Sequence, residues 1–184
     1  MNSKLSVLGA TMLVLSINSN AYALCDDSHS FMDLACQRLA KTWNEGDSDI
    51  YLPFHTYHLR SAYTDEKIDS FREDNWGLGY GRSRYENGNL DMVYGMYFLD
   101  SHSKPEPMVG YAHEWMWGDT QALHAGLGYT VFVTARSDLS NYMPIPAILP
   151  IASVNYGKVS VNTTYVPGGN GYGNIFFFWS RFSF

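Results

Sequence analysis

Beyond its first two dozen residues, the sequence lacks any apolar run approaching the roughly 20 residues that a membrane-spanning helix needs. It also has few basic residues, with 12 Lys and Arg against 18 Asp and Glu and a formal net charge of -6. Nucleic-acid binding requires a basic stripe, so that class of function is excluded. The remaining partners are neutral, apolar or bridged by cations.

The N-terminus has the three parts of an export signal. Lys4 supplies a positive charge, residues 5–17 form an apolar run, and Ala21-Tyr22-Ala23 is a small-x-small cleavage site. The run is too short for a retained transmembrane helix. We therefore predict that residues 1–23 are a signal peptide, cleaved after Ala23, and that the protein is exported.

Aromatic residues make up 16% of the chain, including 14 Tyr and 10 Phe. Many aromatics without helical spans are typical of a membrane β-barrel, in which aromatic girdles mark both interfaces. From Tyr51 onward the apolar pattern has a period of two. Its longest example is the row Leu123, Ala125, Leu127, Tyr129, Val131 and Val133, which alternates with small or polar residues. This row predicts a strand with one face toward lipid.

Similar alternation occurs in seven other segments: 51–63, 76–86, 90–100, 108–117, 146–156, 158–166 and 174–184. The last of them ends on Phe184, as outer-membrane barrels usually do. We predict an all-β fold for residues 47–184, an eight-stranded antiparallel transmembrane barrel in the bacterial outer membrane. Residues 145–156 and 174–179 are apolar on both faces, so part of the lumen is expected to accommodate hydrocarbon.

The segment 24–46 is predicted to form an amphipathic α-helix before the barrel. Apolar residues recur at helical spacing at Phe31, Leu34, Ala35, Leu39 and Trp43. Its apolar face is expected to lie on the membrane or the barrel rim, with plain packing against the barrel as the alternative. A helix through this segment would separate Cys25 and Cys36 by about three turns. Because that exceeds disulfide reach, free thiols are expected unless the chain folds back.

Three polar residues are candidates for catalysis. His58 ends an inward-facing row, and Asp100-Ser101 follows a strand rich in Met and aromatic residues. Together they offer a base, a carboxylate and a hydroxyl. Each also has an ordinary explanation, since a lone His is more often structural and Asp-Ser commonly opens a turn.

Longer motifs give these residues a context. They include Tyr57-His58-Leu59-Arg60 and Phe98-Leu99-Asp100-Ser101, together with segments 76–84, 124–130, 133–136, 142–154 and 164–168. With these motifs the chain resembles the lipid A palmitoyltransferases, the PagP family, over essentially its whole length after residue 23.

The resemblance implies an enzyme that transfers palmitate from the sn-1 position of a glycerophospholipid to a hydroxyl of a hydroxyacyl chain on lipid A. It implies that His58, Asp100 and Ser101 are the residues needed for activity. Our hypothesis for the mechanism is that His58 accepts the proton of the lipid A hydroxyl, Asp100 orients the imidazole and Ser101 holds the oxyanion. No metal or diffusible cofactor is implied, and the protein is expected to act as a monomer. Resistance to antimicrobial peptides follows as the expected effect of the added chain.

The resemblance also assigns structural roles. Pro53, Pro150 and Pro167 match family prolines that weaken strand pairing at two gaps, through which lipids enter sideways. Asn75 stands where the family has the fourth of these prolines, so the gap that it shares with Pro53 is in doubt. Trp43 and Arg84 match a contact that clamps the helix to the barrel by cation–π attraction. Ala112 stands where the family often has Gly on the pocket floor. One added methyl, about 0.8 kcal/mol of burial, predicts a slightly shorter acyl chain.

Two other classes of protein share parts of this pattern. A structural or adhesive outer-membrane barrel would explain the signal, the alternation and the terminal Phe, but not an apolar lumen beside a His and an Asp-Ser pair. A soluble lipid-binding barrel would not explain the lipid-facing rows. An enzyme is the interpretation that accounts for all these features.

Overall fold

The computed structural model describes Cys25, residues 31–138 and residues 140–184, so the predicted signal peptide lies outside the described residues. A single long helix, α1 (Phe31–Glu45), precedes eight antiparallel strands. These are β1 (Asp47–His58), β2 (Gly77–Glu86), β3 (Asn89–Leu99), β4 (Pro105–Trp117), β5 (Leu123–Thr134), β6 (Ile145–Tyr156), β7 (Val159–Val166) and β8 (Ile175–Ser183). Each strand pairs with the next in the chain, and β8 pairs with β1 to close the barrel.

The predicted barrel is therefore confirmed, with shifts at the strand ends. β1 begins at Asp47, before the predicted start at residue 51, and ends at His58. The loop after β1 contains a short helix, α2 (Asp65–Asp69). Polar residues at strand ends do not continue the apolar alternation, which is why the pattern missed them. No helix in the described part of the chain is long and apolar enough to cross a membrane.

The two faces of the strands separate as the alternation predicts. In β5, Leu127, Val131 and Val133 are exposed on the outside, while Thr130 and Phe132 are buried inside. An exposed apolar exterior of this kind is suited to contact with acyl chains.

The barrel interior contains both apolar and polar side chains. A continuous apolar cluster that includes Tyr51, Met92, Met96, Phe177 and Trp179 follows the inner face of β3 from Phe98, near the loop to β4, to Leu90.

At the opposite end the interior is polar. There Arg181 lies 3.2 Å from Asp49 and 2.8 Å from Ser83. Ser153 donates to Glu114 at 2.7 Å. The apolar lumen predicted from β6 and β8 is thus present, and at this end of the barrel it adjoins polar residues.

Strand pairing stops early at two places on the apolar half. Pairing of β1 with β2 extends only to Tyr51 and Gly79, which leaves residues 52–58 of β1 without a β2 partner among the described residues. Pairing of β6 with β7 extends only to Ile151 and Thr164, just short of Pro150. Prolines lack the N–H that a ladder requires. Strand pairing is thus interrupted beside Pro150 and also beside Pro53 and Asn75, where the replaced proline had put the gap in doubt.

The expectation of free thiols is wrong. Cys25 and Cys36 form a disulfide, with Cα atoms 5.6 Å apart. The prediction assumed that the helix extends through both residues, whereas α1 begins at Phe31. Of the two cysteines, only Cys36 therefore lies in the helix.

Among the described residues, no cation–π contact joins Trp43 and Arg84. Arg84 instead pairs with Glu86 at 2.6 Å, and the Trp43 side chain is 44% exposed. The helix contacts the barrel through Lys41, which donates to Glu86 at 2.9 Å. Both partners of the Lys41–Glu86 pair are exposed to solvent, which screens their attraction.

The disulfide leads to a direct prediction. Titration of the exported, denatured protein should detect no free thiol before reduction and two after it. Because the bridge lies outside the barrel, Cys36→Ser should lower the thermal unfolding temperature of the barrel by no more than a few degrees. A thiol detected before reduction would contradict the pairing.

Candidate active site

An apolar cavity of ≈ 190 Å³ opens at the end of the barrel where β3 meets β4. Its walls include Phe98, Met108, Phe132, Leu149 and Phe177. Three of its polar residues, Asp100, Ser101 and Arg136, follow strands β3 and β5 and lie at the mouth. A narrow apolar space with few polar groups at one end suits a hydrocarbon chain that carries a polar terminus.

A second, more polar space of ≈ 460 Å³ lies beside this mouth and is lined by the loops that follow β1, β3, β5 and β7. It contains His58, Phe71 and His102. Ser101 and Arg136 line both spaces. The hydroxyl-bearing residue thus lies at the boundary between the apolar cavity and the space that holds the imidazole.

His58 is the last residue of β1, and its side chain is almost fully buried. A bulge between Pro53 and His55 shifts the register of β1 against β8, so Thr56 and His58 point inward while Phe54 does not. The imidazole stacks on Phe71 with ring centroids 4.3 Å apart and meets the edge of Tyr63. These contacts hold the ring in one plane.

The carboxylate that faces this imidazole belongs to Glu73, whose Oε1 lies 3.0 Å from Nδ1 of His58. The same oxygen accepts the backbone N–H of His58 at 3.1 Å. The two terminal guanidinium nitrogens of Arg60 donate to the two carboxylate oxygens of Glu73, at 2.8 and 2.7 Å. Burial alone would raise the pKa of Glu73, but the hydrogen bonds from Arg60 and His58 outweigh it and lower the pKa to about 2. Glu73 is therefore a charged acceptor at neutral pH.

Asp100 does not fill the orienting role expected of it. Its Oδ1 accepts the backbone N–H groups of His102 and Lys104, each at 2.8 Å. These bonds fix a tight turn, in which Ser103 has a positive φ of 60°. The other oxygen, Oδ2, is buried and has no hydrogen-bond partner among the described residues. In this structure Asp100 shapes the loop that carries Ser101.

Residues 71–76 bridge the gap between β1 and the end of β3. On one side, the backbone N–H of Thr56 donates to the carbonyl of Glu73 at 2.8 Å. On the other, the backbone N–H of Arg72 donates to the carbonyl of Ser101, also at 2.8 Å. The side-chain amide of Asn75 donates to the carbonyl of Leu99 at 2.6 Å. This segment, which we call the brace, joins the strand of His58 to the loop of Ser101.

The sequence prediction missed Glu73. Its only signal was a carboxylate in the loop between two predicted strands, a position that does not reveal which strand the loop packs against. Among the described residues, no cluster of His, Cys, Asp and Glu is arranged to hold a metal ion.

Ala112 is fully buried but does not line the cavity. Its neighbour on the same face, Gly110, pairs with Phe132 at the deep end of the cavity. A Cβ at Gly110 would lie only 2.7 Å from the hydroxyl oxygen of Tyr94, which is also bonded to Thr130 at 2.6 Å. The tip of the Tyr94 ring therefore lies against Gly110, which is nearer to the cavity along β4 than Ala112 is, although Tyr94, like Ala112, does not line the cavity.

Comparison with known proteins matches this architecture to one family. The model of the family described as "Antimicrobial peptide resistance and lipid A acylation protein PagP" matches residues 38–181. Lipid A acyltransferase PagP of Methylobacillus flagellatus is 56% identical over 178 residues, which cover 96% of this chain and 95% of that protein. The proteins of the same name from Bordetella parapertussis and Klebsiella pneumoniae are 44% and 45% identical, over 87% and 94% of this chain and 88% and 92% of their own lengths. The chain belongs to the PagP family.

Proposed function

We propose that this protein is an outer-membrane acyltransferase that moves a long acyl chain, palmitate or one close to it, from the sn-1 position of a glycerophospholipid to a hydroxyl of lipid A. Its family membership supports lipid A acylation. The observation that carries the proposal is the apolar cavity that ends at Ser101, beside a space containing a buried imidazole. Such a cavity holds the acyl chain of the phospholipid and leaves the sn-1 ester bond at the polar mouth.

Direct transfer requires a base and an oxyanion donor at that mouth. The Nε2 atom of His58 accepts the proton of the lipid A hydroxyl as the hydroxyl oxygen bonds to the ester carbonyl carbon. The Ser101 hydroxyl donates to the resulting oxyanion, and Asp100 holds the Ser101 loop in place. When the intermediate collapses, the ester C–O bond breaks, and the lysophospholipid oxygen takes the proton from the imidazolium. A covalent acyl-Ser101 intermediate is the less favoured route.

Lipids reach the mouth sideways through the two gaps in strand pairing. The gap between β6 and β7 begins at Pro150 of β6. Pro167 lies on the other side of this gap, directly after the end of β7. The gap between β1 and β2 lies beside Pro53. A bilayer lipid can pass between strands only where ladder hydrogen bonds are missing, since breaking them in hydrocarbon is costly. The precursor's residues 1–23 direct export to this membrane.

A passive structural barrel is the competing function. It requires no apolar cavity and no charged carboxylate held against a buried imidazole. Both features occur together at one end of this barrel, which favours the enzyme.

Replacing the proposed base tests the chemistry. His58→Ala should give a folded barrel with acyl transfer reduced by at least about 100-fold, the lower range for loss of a general base. Mass spectrometry of lipid A from cells expressing each variant would measure transfer, and heat-modifiable gel migration would verify folding. His55→Ala is the control, because that ring packs near Phe178 away from the cavity. Transfer retained by folded His58→Ala would exclude His58 from the mechanism.

The position of Tyr94 predicts the chain length. Ala112→Gly should leave the length of the transferred chain unchanged, because Ala112 does not line the cavity. Tyr94→Leu should shorten the floor side chain and admit a chain longer by one or two methylenes, each contributing about 0.8 kcal/mol of burial. Donors with chains of graded length, assayed by mass spectrometry, would measure both. A longer product from Ala112→Gly alone would restore Ala112 as the floor.

The role of the gap between β6 and β7 can be tested at Pro150. Pro150→Ala supplies an N–H that can extend the ladder toward β7, so transfer should slow severalfold while the barrel becomes slightly more resistant to thermal unfolding. Pro107→Ala, in a strand paired on both sides, is the control and should leave the rate unchanged. Equal slowing by both variants would count against lateral entry at this gap.

A further inference from the structure

The ring of His58 has a defined orientation, and only one carboxylate in the described structure is bonded to it. A base that uses Nε2 must carry its own proton on Nδ1, and an acceptor at Nδ1 fixes that tautomer. The acceptor is Oε1 of Glu73 at 3.0 Å. Asp100 is not bonded to this ring among the described residues, and its Oδ1 is held by two backbone N–H groups of its own turn.

Glu73 is itself held firmly. The Arg60 guanidinium binds both of its oxygens, the planar geometry in which such a pair is most specific. Oε1 also accepts the backbone N–H of His58, so the carboxylate contacts the backbone and the ring of the same residue. Four hydrogen bonds thus converge on one carboxylate. A carboxylate held by these bonds can in turn hold the His58 imidazole in one orientation.

The backbone of Glu73 adds a second constraint. Its carbonyl accepts the N–H of Thr56, two residues before His58, while the adjacent Arg72 N–H donates to the carbonyl of Ser101. Two consecutive residues, Arg72 and Glu73, therefore link the backbone of the strand that carries His58 to the backbone of Ser101. The separation between His58 and Ser101 depends on this short path.

We propose that Glu73 is the positioning residue of the transfer reaction: its carboxylate holds the Nδ1–H of His58 so that Nε2 faces the acceptor hydroxyl, and Arg60 fixes that carboxylate. The proposal rests on the acyl transfer proposed above. Glu73 does not touch either lipid, so it acts on the rate of the chemical step through His58. Lipid binding, which depends on the cavity and the mouth, is not affected.

The test is Glu73→Gln in the full-length exported protein, purified in detergent and assayed with dipalmitoyl phosphatidylcholine and lipid A. Gln keeps the size of Glu but can turn its NH₂ toward Nδ1 and stabilise the wrong tautomer. The kcat should fall by about 100-fold or more, with KM for both lipids within about twofold of wild type. Glu73→Asp, which keeps the charge on a shorter side chain, should recover part of the loss.

Asp74→Asn is the matched control. It removes the same charge from the next residue, whose side chain is exposed and outside both spaces at the site. Its kcat should equal that of wild type. Heat-modifiable migration should show that all variants fold. A folded Glu73→Gln protein with wild-type kcat, or one that loses rate only through a raised KM, would overturn the proposal.

A second readout does not depend on activity. In ¹⁵N-histidine-labelled protein, the ¹⁵N shifts of His58 should report an Nδ1–H tautomer in wild type and in Asp74→Asn, and its loss in Glu73→Gln. An unchanged tautomer in Glu73→Gln would overturn the proposal even if activity fell. If wild type transferred no acyl chain, the proposed function would fail, and this spectrum would still decide whether Glu73 orients the ring.

Discussion

The structure depends on one constraint, that backbone N–H and C=O groups facing hydrocarbon must be satisfied within the protein. Closure of β8 onto β1 meets this requirement around the barrel. A protein that takes its substrates from a bilayer must nevertheless open its wall somewhere. Here the wall is unpaired beyond Tyr51 on one side and beyond Ile151 on the other, both in the half that contains the apolar cavity. The fully paired half is the polar one, where no lipid needs to enter.

The division of the interior follows from the same constraint. An apolar cavity open at both ends would fill with water and would lose its preference for hydrocarbon. Below the cavity, Tyr94 and Trp179 form a layer of aromatic side chains, and beneath it Arg181 and Glu114 belong to a buried polar network. Buried charges of this kind persist only when they are paired and hydrogen-bonded. The network therefore places paired polar groups below the cavity, at the end of the barrel where all neighbouring strands are paired.

Much of this architecture was predictable because it depends on periodicity. Alternation such as that of Leu127 to Val133 requires only that side chains point alternately to two faces, and the eight strands were found in that way. Features that depend on a local break in the apolar pattern were not predictable. The bulge after Pro53 changes which residues of β1 face inward, and α1 begins late enough for Cys25 to reach Cys36. Neither break leaves a periodic trace in the sequence.

The candidate site shows the same division more sharply. His58 and Ser101 could be nominated from motifs, because each follows or ends a recognisable strand. The link between His58 and Ser101 could not be predicted, because it runs through the brace, a segment without periodicity. Asn75 illustrates why composition alone misleads. It replaces a proline and could donate an N–H to a neighbouring strand, yet the gap beside it persists, because its side chain is bonded to Leu99 and the brace to Ser101. The brace is anchored to β3 by several bonds at once, so a single restored N–H at residue 75 does not close the wall. The same anchoring places Glu73, rather than Asp100, against the imidazole.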